Sequence, residues 1–201
     1  MIHRFAALLL ALPLAACSPV ATVGKRIDTG ADIHIDRLQV YSLVPMHTMG
    51  IERLHRDAVG LDTVLDNQLK KAKIDTVVED VQSLVTRHGL PVEVSVMEVN
   101  GTRRISGALP EHDLLRANAG VEAEGKASHR LVLYPRRLTV NGSSGVANGI
   151  IRWQLEGIDG AKPLAVGLLR YTADARGFPA QAMAADLVAK LQSLGIRAAG
   201  Q

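Results

Sequence analysis

Three runs of sequence decide the fold: LVLYPRRLTV from Leu131 to Val140, IRWQLE from Ile151 to Glu156, and LAVGLLRY from Leu164 to Tyr171. In the middle run Ile151, Trp153 and Leu155 alternate with Arg152, Gln154 and Glu156. That period of two belongs to a strand with one face buried and one face polar. Asn141-Gly142 opens a turn carried through Ser143-Ser144-Gly145, and Asp159-Gly160 opens a second. Two glycine-containing turns between alternating runs predict a three-stranded antiparallel meander. Its Arg152, Gln154 and Glu156 face is too polar to be lined by lipid, and is read as exposed or partner-binding.

Downstream, Pro179 sits early in a helix whose stripe is Met183, Leu187, Leu191 and Leu194, with Gly195 as its stop. Upstream, Val92, Val94 and Val96 alternate as a half-buried strand. Between it and the meander lies a polar, Gly- and Ala-rich excursion over 100–128, with one turn of helix expected around Leu114.

Further back, Leu61, Val64, Leu65, Leu69 and Ala72 share one helical face, whereas Val77, Val81, Leu84 and Val85 fall on nearly the opposite one. One straight helix cannot bury both stripes against one sheet. The spacing predicts a break near Lys73–Asp75 and two helices, 58–72 and 76–88, the second opened by a Thr76/Glu79 capping box and stopped by Gly89 and Pro91. Residues 45–60 read as irregular. Ile33 and Ile35, then Leu38 and Val40, alternate on opposite parities, which predicts a strand bulged near Asp36-Arg37. Residues 17–32 read as a flexible N-terminal tether. The sum is a single α+β domain over 33–196, a two-layer sandwich in which helices cover one face of a mostly antiparallel sheet. There is no internal repeat.

Composition narrows the class. The 201 residues are 47% hydrophobic and 21% charged, which excludes a disordered chain. Aromatics at 3% leave the core to Val, Leu, Ile and Ala. One cysteine excludes an internal disulfide framework and any CxxC site. A net charge of +3 is too mild for a nucleic-acid footprint.

The chain begins Met-Ile-His-Arg and runs apolar from Phe5 to Ala16. A short basic start, a twelve-residue apolar run and small residues before a cut site describe a secretory signal peptide over 1–16. The run is too short to span a bilayer, which takes roughly 20 apolar residues. Leu14-Ala15-Ala16-Cys17 resembles the lipobox of bacterial lipoproteins. That resemblance implies signal peptidase II cleavage before Cys17, a diacylglyceryl thioether on its sulfur, and acylation of the new amine. Two or three acyl chains hold a protein on a membrane without spanning it. Ser18, where an aspartate commonly marks inner-membrane retention, implies by the same resemblance sorting to the outer membrane; the periplasmic face is preferred over the cell surface, and the sequence leaves that orientation open. The element order also resembles that of small envelope accessory lipoproteins, such as the lipopolysaccharide-assembly lipoprotein, and the N-terminal domain of the Tol system's periplasmic protein. No diagnostic motif accompanies that topology.

The sequence presents no catalytic, cofactor-binding or metal-ligating set. His34, His47, His55, His88, His112 and His129 lack the spacings that pair imidazoles on one face. Gly142-Ser143-Ser144-Gly145 is one residue short of a nucleophile elbow and falls in a hairpin turn. Glu111-His112-Asp113 reads as a solvated loop. Lys70, Lys71 and Lys73, Arg103-Arg104 and Arg136-Arg137 read either as solvated faces or as attraction to anionic headgroups near the anchor. The function expected is therefore a non-enzymatic, lipid-anchored envelope protein that binds a protein partner or supports assembly or transport, with no nucleic acid and no cofactor beyond the covalent lipid. A carrier of an apolar ligand between sheet and helices, and a hydrolase with dispersed residues, are the alternatives.

Overall fold

The computed structural model describes residues 20–28, 30–49, 51–90, 92–108, 127–159 and 162–200. The stretch 1–16 expected to be a signal peptide, Cys17, Ser18 and the Glu111-His112-Asp113 cluster lie outside the described residues, as does the turn expected around Leu114.

The elements in order are β1 (Val20–Arg26), β2 (Ile33–Ile35), β3 (Arg37–Ser42), α1 (Val44–Thr48), α2 (Glu52–Val59), α3 (Leu61–Lys71), β4 (Asp75–Glu79) and α4 (Val81–His88). Then come β5 (Glu93–Val99), β6 (Thr102–Ala108), β7 (His129–Asn141), β8 (Ala147–Gly157), β9 (Pro163–Ala173), α5 (Ala180–Ser193) and β10 (Ile196–Ala198). The fold is mixed α and β, with one large, mostly antiparallel sheet of order β1-β9-β8-β7-β3-β4. β3 is its parallel element, pairing with both β4 and β7. β2 and β10 form a separate parallel pair.

The expected meander is present as β7, β8 and β9, antiparallel throughout. Thirteen residues make β7 long enough to serve two neighbours along one edge. Its first half pairs with β3, and Leu138 to Asn141 pair with β6. Pro135 and a register shift between Pro135 and Arg137 sit where that edge changes partner. A residue without an N–H costs least where no ladder needs its donor.

Several expectations are corrected. The tether is strand from Val20, fully paired with β9, so the fold starts before residue 33. The bulge near Asp36 is a complete break: Ile33–Ile35 pair with β10 while Arg37–Ser42 enter the large sheet. Residues 45–60 hold two short helices, most of α1 and all of α2. The helix break lies where expected, with Lys73 at φ 63°, but Thr76 and Glu79 belong to β4 rather than to a capping box. Asp80 is the true cap: its Oδ1 accepts from the backbone N–H of Gln82 and Ser83 at 3.1 and 3.2 Å. Finally, the excursion over 100–128 opens as strand β6, joined to β5 through Asn100 and Gly101 at φ 50° and 71°. Consecutive left-handed residues make the tight hairpin turn that Asn-Gly favours.

The main core gathers Leu61, Leu65 and Leu69 of α3 and Met183, Leu187 and Leu191 of α5 against Val40, Leu133, Trp153 and Leu169 of the sheet. On the opposite parity a smaller cluster sets Val81 and Val85 of α4 beside Tyr41 and Val132. Helices thus flank β3 on both faces, which corrects the one-face expectation there.

Candidate functional site: an arginine-bearing sheet face

Strand registers define the second face of β1, β9, β8 and β7. Arg137 lies level with Ile150, Ile150 with Arg170, and Arg170 with Ala21. The next row carries Tyr134, Arg152, Leu168 and Val23, and the one after it Val132, Gln154, Val166 and Lys25. Arg137, Arg152 and Arg170 are exposed. On the hairpin side, Arg104 is level with Met97 and Thr139. Among the described residues no carboxylate pairs with any of these four arginines.

The face is ordered by a chain of side-chain hydrogen bonds. Arg130 Nε donates to Gln39 Oε1 at 3.0 Å, and an Arg130 terminal nitrogen donates to Glu156 Oε1 at 3.1 Å. Gln154 Nε2 then donates to Glu156 Oε2 at 3.2 Å, and Arg152 donates to Gln154 Oε1 at 3.1 Å. The chain starts on two buried strands and ends at an exposed guanidinium. Arg130 also lies 5.4 Å from the Tyr41 ring centroid, a cation–π distance. Burial pushes the Tyr41 hydroxyl well above its ordinary range, so it stays protonated beside the guanidinium.

At the end of the face where β1 begins, the sheet hollows into a groove of about 490 Å³ lined by Ala21, Arg137, Thr139, Asn148, Ile150 and Arg170, among others. A second hollow of about 240 Å³ continues from it, sharing Arg137 and Thr139 and adding Met97, Val99 and Arg104. Arg137 Nε donates to Thr139 Oγ1 at 3.3 Å, and Thr172 Oγ1 to Asn148 Oδ1 at 2.9 Å. Guanidinium forks beside hydroxyl and amide groups can take an oxyanion bidentately.

The residues singled out from sequence fall as follows. Lys70 is tied to Asp66 at 2.8 Å and Arg103 to Glu98 at 3.2 Å, both on solvated surface. Arg104 and Arg137 reach the groove. Gly142-Ser143-Ser144-Gly145 is a turn held by Asn141 Oδ1, which accepts from the backbone N–H of Ser143 and Ser144 at 3.0 and 2.9 Å. Of the described histidines, His34 is exposed, His47 buried, and His55 Nδ1 donates to the Pro45 carbonyl at 2.9 Å. Among the described residues no three His, Cys, Asp or Glu side chains gather as a metal site. Sequence reading missed Arg170 and the groove. Arg170 stands alone between leucine and tyrosine, and the run 164–171 shows no clear alternation.

No family model matches the chain, and no curated protein matches it. Among solved structures it is similar to a PelC dodecamer from Paraburkholderia phytofirmans, at 11% identity and a TM-score of 0.46 over 89% of this chain and 99% of that one. A single-substitution variant of the same PelC gives 12% identity and 0.45 over the same shares.

Proposed function

We propose that this chain is a lipid-anchored, non-enzymatic envelope protein that binds a partner, or supports assembly or transport, at the periplasmic face of the outer membrane. The observation that carries the reading is the sequence Leu14-Ala15-Ala16-Cys17, in which the chain's one cysteine ends a lipobox-like tetrapeptide after a short apolar leader. Ser18 supports outer-membrane sorting, and the covalent lipid on Cys17 is the one attached group the reading needs.

Two features of the domain support binding over transport of an apolar cargo. Among the described residues, Leu61, Leu65, Leu133, Leu169, Met183 and Leu187 leave about 0 Å³ between them where α3 and α5 meet the sheet, too little for an apolar ligand at that place. The open face, by contrast, carries Arg137, Arg152 and Arg170, which pair with no carboxylate among the described residues. The architecture proposed with this reading is a two-layer sandwich over β1, β9 and β8, with α3 and α5 together on one face and the arginines on the other.

The test is labelling with radioactive palmitate in a Gram-negative host, followed by fractionation and crosslinking. Label on the wild-type chain, none on Cys17→Ser, and release of the variant from the membrane fraction are expected. An unlabelled, soluble wild-type chain overturns the proposal.

A further inference from the structure

We infer that the groove bearing Arg104, Arg137 and Arg170 docks on the phosphate headgroups of the bilayer that holds the anchor; the inference rests on the anchored reading above. Chain connectivity supplies the first argument. Val20, the first residue of β1, and Ala21 are themselves walls of the groove. Two residues, Ser18 and Pro19, separate Cys17 from Val20, and over those three Cα steps an extended chain reaches no further than about 3.6 Å per residue. An acylated Cys17 is thereby held within about 11 Å of the groove's edge, near the roughly 8 Å over which exposed charges act at physiological salt.

The same end of the sheet carries the hairpin tip. Val20 is level with Tyr171, and Gly149 with both Tyr171 and Leu138, so the start of β1 is level, across β9 and β8, with the half of β7 that pairs with β6. The Gly142 N–H donates to the Gly101 carbonyl, joining the β7–β8 turn to the β5–β6 turn. Met97 and Val99, 53% and 62% exposed, stand beside Arg104 at this end. Exposed apolar side chains interleaved with arginines suit a headgroup–acyl boundary, where the cation meets phosphate and the apolar group enters the interface. A soluble polyanion gives Met97 and Val99 nothing to enter, which is why a lipid surface is the occupant.

The experiment uses the chain from residue 17 with Cys17→Ser, which retains the whole core and carries no acyl group. Sedimentation is compared with vesicles of phosphatidylcholine alone and of phosphatidylcholine with one quarter phosphatidylglycerol. At least tenfold stronger binding to the anionic vesicles is expected, falling about fivefold for each arginine removed by Arg137→Ala and Arg170→Ala. Lys71→Ala with Lys162→Ala, which removes two cations elsewhere, is expected to leave binding within twofold. Equal binding to both vesicle types overturns the inference. So does indifference to the arginine substitutions in chains that melt like wild type, or capture by soluble polyphosphate that the anionic vesicles fail to displace. Palmitate labelling reports separately on the anchor. A labelled wild-type chain whose unacylated form ignores anionic vesicles sinks the groove alone, and an unlabelled chain that binds them sinks the anchor alone.

Discussion

Glu156 Oε1 accepts from the Arg130 guanidinium at 3.1 Å, with the two side chains 1% and 2% exposed. Such a pair is held by its own completeness, because either charge alone is costly to bury. Glu156→Gln leaves the guanidinium without a counter-charge beneath Gln154. The expected loss is about 3–5 kcal/mol, or on the order of 10 °C in Tm for a chain of this size. Arg130→Met with Glu156→Leu removes both charges and is expected to recover most of that. Thermal unfolding followed by circular dichroism decides it, and an unchanged Tm for Glu156→Gln refutes the account.

Gly24→Ala tests whether the N-terminal segment belongs to the fold. Trp153, Gly167 and Gly24 are level across β8, β9 and β1, and a methyl group on Gly24 lies 2.1 Å from the indole Cζ2. The Trp153 side chain is fully buried and has nowhere to move. Overpacking of this kind costs about 1–3 kcal/mol, to be read from urea unfolding by the fluorescence of this sole tryptophan. A loose tether here predicts a silent substitution.

That glycine also shows why the sequence hid β1. Glycine in a polar, threonine-rich stretch reads as a breaker, yet here it makes room for an aromatic ring contributed 129 residues later. Alternation was legible where one face is buried and the other wet, as at Ile151, Trp153 and Leu155. It failed at Thr76–Glu79, whose Thr-x-x-Glu spacing fits a capping box until parallel pairing with β3 claims those residues for a strand. For the candidate site, the polar parity of Arg152, Gln154 and Glu156 was readable within one strand. The groove was not, because register between β7, β8, β9 and β1 places Arg137 and Arg170 on one row, and register is a tertiary property.

Asp80→Ala tests the cap of α4. Its carboxylate also accepts from the Ser83 hydroxyl at 2.6 Å, and these bonds hold its pKa below the usual carboxylate range. Loss of the cap is expected to lower stability by about 1 kcal/mol, shifting Tm by about 2–4 °C. Because the folded pKa is depressed, the wild-type advantage is present at neutral pH and fades as pH falls below about 4. An advantage that persists undiminished at pH 2 contradicts the cap.

Asp62 predicts the opposite slope. Burial pushes its pKa from 3.8 up to about 7; proximity to Ser42 lowers it in part, and the charge on Asp80 raises it further. Neither Asp62 Oδ1 nor Ser42 Oγ makes a hydrogen bond of normal geometry, so desolvation dominates. A raised carboxyl pKa means that the folded state holds a proton the unfolded chain has released. Its contribution is complete below pH 4 and is lost as pH rises through about 7. Asp62→Asn keeps the shape and removes the ionisation. The wild-type chain is expected to lose urea stability between pH 5 and pH 8, and the asparagine variant to lose less over that interval and exceed wild type at pH 8. Parallel stability profiles for the two chains place the titration elsewhere.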